Sequence, residues 1–126
     1  YAGEYHRQKE REESEWEKVT QRMDDLINTY NERDTHSLES LARFHAAYEA
    51  IMPFQGGNSR IGRILLIKEC LRSKQVPFIV HAANKDTYKD ALNKAQNEQL
   101  EELMDFFRKE QINFEREIDK ILSKEE

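Results

Sequence analysis

Three of the chain's four glycines and one of its two prolines fall in one stretch, Met52-Pro53-Phe54-Gln55-Gly56-Gly57-Asn58-Ser59-Arg60-Ile61-Gly62-Arg63. Breakers are scarce elsewhere. That scarcity disfavours a fold of many short strands and turns, and it leaves long helices with few interruptions. Apolar residues recur at helical steps on both sides of the stretch. Trp16, Val19, Met23, Leu26, Ile27 and Tyr30 form one stripe, and Leu38, Leu41, Phe44 or His45, Tyr48, and Ile51 or Met52 form a second. Asp34 or Thr35 is the expected N-cap of the second helix, and Pro53 ends it.

Beyond the stretch, Asn58 or Ser59 can cap a third helix. It runs through Ile61, Ile64, Leu65, Lys68 and Leu71 to about Ser73. Being apolar on several sides, it is expected to be central and largely buried. Gln75 to Val80 reads as an apolar connector. Asn84 to Asp86 caps a fourth helix with Tyr88, Ala91, Leu92 and Ala95, and a long fifth carries Leu100, Leu103, Met104, Phe107, Phe114, Ile118 and Ile121. The chain therefore reads as one compact all-α domain over residues 1–126. Residues 1–15 form a charged N-terminal segment, and 16–124 form the helical core.

Composition narrows the function. Lys and Arg number 20 against 25 Asp and Glu, and this net charge of −5 argues against nucleic acid as partner. A single cysteine, Cys70, excludes an internal disulfide framework. No apolar run reaches the roughly 20 residues of a membrane span, and no signal-like pattern opens the chain, so a soluble cytoplasmic domain is expected. A small phosphate ligand remains compatible with an acidic chain. A glycine-rich turn opening into a helix presents free N–H groups and the positive end of the helix dipole. Arg60 and Arg63 can add fixed charge there.

The same stretch resembles the signature of the Fic family, His-Pro-Phe-x-Asp/Glu-Gly-Asn-Gly-Arg-x-x-Arg. The likeness extends to Phe44-His45-Ala46-Ala47-Tyr48-Glu49-Ala50-Ile51 before it and to Gly62–Leu71 and Val76-Pro77-Phe78-Ile79 after it, with Ala2-Gly3-Glu4-Tyr5 as a further match. The resemblance implies a helical bundle with the motif loop between two central helices. It also implies AMP transfer from ATP to a hydroxyl of a target protein. In that chemistry the loop His is the general base and the acidic residue holds a divalent metal on the phosphates. Gly57, Asn58, Ser59, Arg60 and Arg63 would form the anion hole and hold the nucleotide.

Departures from the signature qualify this activity. Met52 stands at the position of the base, and a thioether takes up no proton near neutral pH. Gly56 replaces the metal-binding acid, so Mg2+ would be held only through nucleotide phosphates. Ser59 replaces the second glycine. The family's β-hairpin flap, against which targets dock, has no counterpart in the charged run His6 to Glu13. Catalysis is therefore read as impaired or lost, with a nucleotide- or partner-binding module as the alternative. His45 is expected to be a structural histidine, while His6 and His36 are expected to be solvated. The fifth helix's stripe is read as core, with a homodimer or partner helix as its other use.

Overall fold

The computed structural model describes the backbone of residues 2–51 and 58–125 and the side chains of 15–51 and 60–123. Five α-helices follow one another: α1 (Ala2–Tyr30), α2 (Leu38–Ile51), α3 (Asn58–Arg72), α4 (Lys85–Gln96) and α5 (Glu101–Glu125). A short 3-10 turn, Ala82–Asn84, leads into α4. The described residues contain no strand, and none of these helices is long and apolar enough to cross a membrane. The charged run before Trp16 is part of α1, so no hairpin flap interrupts it.

The central helix is α2, not α3 as its composition suggests. Among the described residues, the α2 backbone lies close to α1, α3, α4 and α5, whereas the α3 backbone lies close to α2 and meets α1 only through side chains, Tyr30 with Glu69 and Arg72. Two properties of α2 permit this. Its buried positions Leu41, Ala42, His45, Ala46, Tyr48 and Glu49 span a wide arc, and Ala42 and Ala46 let neighbouring helices come close. On α3, Ile64 and Leu71 are 58% and 60% exposed, and only Leu66 and Cys70 join the shared core. An apolar sequence does not say how many neighbours a helix has.

Helix ends also depart from expectation. Ser37 rather than Asp34 or Thr35 caps α2, its Oγ accepting the Ser40 N–H at 3.2 Å. Asn84 makes no capping bond, because its amide donates to Glu110 Oε1 on α5 at 2.9 Å. α3 and α4 stop without glycine. Lys74 and Glu98 take positive φ (59° and 68°), and the next residues, Gln75 and Gln99, bond back to Cys70 and Lys94.

A polar clasp ties α1, α2 and the end of α3 together. The Tyr30 hydroxyl donates to Glu69 Oε1 at 2.6 Å, and Arg72 reaches the same oxygen at 2.9 Å. Burial, and then the Glu69 carboxylate, push the Tyr30 hydroxyl well above its ordinary pKa. His36 is not solvated. Its ring stacks on Tyr30 at 3.6 Å, its backbone N–H donates to Ser73 Oγ, and Nδ1 meets Ser40 Oγ at 2.6 Å. The polar sequence around His36 hid this, since one of its partners, Ser73, lies 37 residues away.

The long stripe of α5 is core only in its first half. Leu103 and Phe107 are fully buried, and Phe78 from the connector packs on Phe107 at 4.8 Å. The connector is pinned by Gln111, whose amide donates to the Val76 carbonyl. Ile118, Ile121 and Leu122 lie beyond that contact and are exposed.

Candidate functional site at the junction of α2 and α3

α2 ends and α3 begins at the glycine-rich stretch. Met52, Pro53, Phe54, Gln55, Gly56 and Gly57 lie outside the described residues, so the structure neither supports nor opposes their sequence-based roles. Asn58 and Ser59 open α3 with their backbone, and their side chains are likewise outside. Arg60 follows, exposed on the first turn, and Arg63 is half-buried one turn on.

Gly62 explains how this turn sits on α2. A Cβ at this position would collide with Glu49 Oε1 and stand 3.0 Å from the Tyr48 ring. Both residues are buried, at 4% and 1% exposure, so the first turn of α3 rests directly on them. A Gly62→Ala change gains about 1 kcal/mol of helix propensity but overpacks this contact at a cost of about 1–3 kcal/mol. We expect a net loss of about 1 kcal/mol in urea unfolding; a variant more stable than the unsubstituted protein would refute the close contact.

His45, one turn before Glu49, is a structural histidine at the same junction. It is 2% exposed, and its Nε2 hydrogen-bonds the Tyr88 hydroxyl of α4. Burial lowers its pKa to about 4. The positive charge of Arg63 contributes, and a backbone hydrogen bond with Gly62 opposes. The Tyr88 hydroxyl is held protonated by burial and then by the Glu49 charge, with Arg63 opposing. Buried at 2% exposure against Tyr88, the ring is closed off from a substrate hydroxyl.

These shifts also locate Arg63. Its charge acts on His45 and Tyr88, so it lies near the α2–α4 side of the junction, whereas Arg60 is exposed. The sequence treats the two arginines as a pair; the fold gives them different surroundings. Cys70, two turns further on, is fully buried, and burial raises its thiol to about 11, which excludes a thiolate nucleophile near neutral pH. His81 is exposed, with Nε2 3.8 Å from Glu117. A cleft of about 600 Å3 lies at the other end of α2 and is lined by Tyr30, His36, Ser40, Arg43 and Phe44.

An all-α bundle whose central helix is followed, after the glycine-rich stretch, by an arginine-bearing helix is the architecture expected of the Fic signature. The model of the Fic/DOC family matches residues 3–70, which contain α1, α2, the turn and most of α3. The chain belongs to the Fic/DOC family. No curated protein matches it.

Proposed function

We propose that this domain binds the phosphates of ATP or a related nucleotide at the start of α3, and that its transfer chemistry is impaired or lost. The observation that carries this reading is Met52 at the position of the family's general base. Around it the sequence keeps Gly57, Asn58, Arg60 and Arg63, which suit an anion, and Ser59 adds a hydroxyl. The burial of His45 against Tyr88 supports the same view, because no histidine of α2 replaces the missing base. ATP would supply the AMP group destined for a protein hydroxyl. Mg2+ would enter through the nucleotide's phosphates, since Gly56 offers it no carboxylate.

Calorimetric titration with ATP and ADP, paired with a labelled-ATP transfer assay, tests the proposal. Binding without transfer, weakened about tenfold by Arg60→Ala, is the expected result. Absence of binding by either nucleotide would remove the nucleotide reading and leave a partner-binding module. Efficient transfer by the unsubstituted chain would show that another group serves as base.

A further inference from the structure

α3 has two unlike sides. Gly62, Leu66, Glu69, Cys70 and Ser73 are buried, while Arg60, Ile61, Ile64, Lys68, Leu71 and Arg72 are exposed and recur at helical spacing on the opposite side. The outward side is thus an apolar ridge flanked by cations. Between Asn58 and Lys74 fall five of the chain's 20 basic residues and one of its 25 acidic ones. That one acid, Glu69, is turned inward and bonded by Tyr30 and Arg72. No exposed carboxylate of α3 therefore balances this face. A ridge of this kind suits an acidic helix that offers a large apolar anchor.

The chain itself contains such a helix. α1 has 29 residues and α2 has 14, about 43 Å against about 21 Å, so α2 cannot cover all of α1. Near the uncovered end, Trp16 is 59% exposed between the exposed Glu15 and Glu17. Glu10 to Glu17 holds five acids and one cation. Each copy carries both surfaces, so two copies can join reciprocally about a twofold axis, which closes the assembly. Two helix-on-helix contacts per dimer also approach the roughly 800 Å2 per partner of a standard interface better than one does.

We infer that the outward face of α3 is a dimerisation surface, on which the acidic first half of α1 of a second copy lies with Trp16 as its anchor. Trp is favoured at the centre of such contacts, and Lys68 beside it can meet either the ring or the flanking glutamates.

Sedimentation velocity on the full chain tests this. We expect a dimer at about 100 µM, a concentration that saturates any contact with Kd near 1 µM, and dissociation as salt screens the charges. Ile64→Ser, Lys68→Glu and Glu15→Lys should each raise Kd at least tenfold. All three residues are exposed, so unchanged circular dichroism serves as the folding control. Mixing Lys68→Glu copies with Glu15→Lys copies should restore a dimer, because both contacts of the mixed pair are then complementary. A monomer under all these conditions overturns the inference. So does a dimer indifferent to the three substitutions, which would place the interface elsewhere, for instance on Ile118 to Leu122 of α5. A monomer that binds anionic vesicles through Lys68 overturns it as well, making the face a membrane contact.

Discussion

Met52→His combined with Gly56→Asp is expected to raise AMP transfer by about 10² to 10⁴-fold over the unsubstituted chain. The first change supplies an imidazole whose pKa suits proton abstraction from a hydroxyl. The second supplies a carboxylate for the metal that neutralises the phosphates. Neither change alone suffices, since a base without charge stabilisation, or the reverse, leaves a large part of the barrier in place. Self-modification with labelled ATP is the measurement, with Met52→His and Gly56→Asp as single controls. If the double variant folds, binds ATP and transfers nothing, the defect lies in Ser59 or in the absence of a hairpin flap along α1.

Acid should weaken this fold through His45. Its pKa is about 4 in the folded protein and near 6.5 when unfolded. Between those values the unfolded chain binds more protons than the folded one, so stability rises with pH. The contribution is fully present above about pH 6.5 and is lost as the pH falls toward 4. A gap of this size corresponds to about 3 kcal/mol. In His45→Gln the pH-dependent part disappears, because the amide does not titrate. That variant should also be less stable near pH 7, as the buried Tyr88 hydroxyl is left with an ill-fitting partner. Urea midpoints at pH 4.5 and 7 for both proteins provide the check. Equal pH slopes in the two would show that carboxylates, not His45, control the acid response.

His45 and His36 show what a sequence can reveal of such groups. For His45, its place on the apolar side of α2 pointed to a structural role, and the structure names its partners as Tyr88 and Gly62. His36 lies among Asp34, Thr35 and Ser37, where local polarity suggests solvent. Its burial follows from Tyr30 and Ser73, contributed by other segments that no local pattern connects to it. The misjudged burial of α3 has the same origin. Ile61, Ile64 and Leu71 look like core in sequence, yet α2 covers only one side of that helix.

Local chemistry was sufficient for the number and type of elements. Helical spacing and scarce breakers specify an all-α chain, and the glycine-rich stretch carries its resemblance to the family. These follow from periodicity and side-chain identity, which act over a few residues. Only the tertiary structure decided that α2 is the centre, that Gly62 seats α3 on Tyr48 and Glu49, and that Arg60 and Arg63 stand in different surroundings. Those outcomes depend on which faces meet across dozens of residues. Burial and hydrogen-bond geometry determine that, and neither is expressed in any short stretch of sequence.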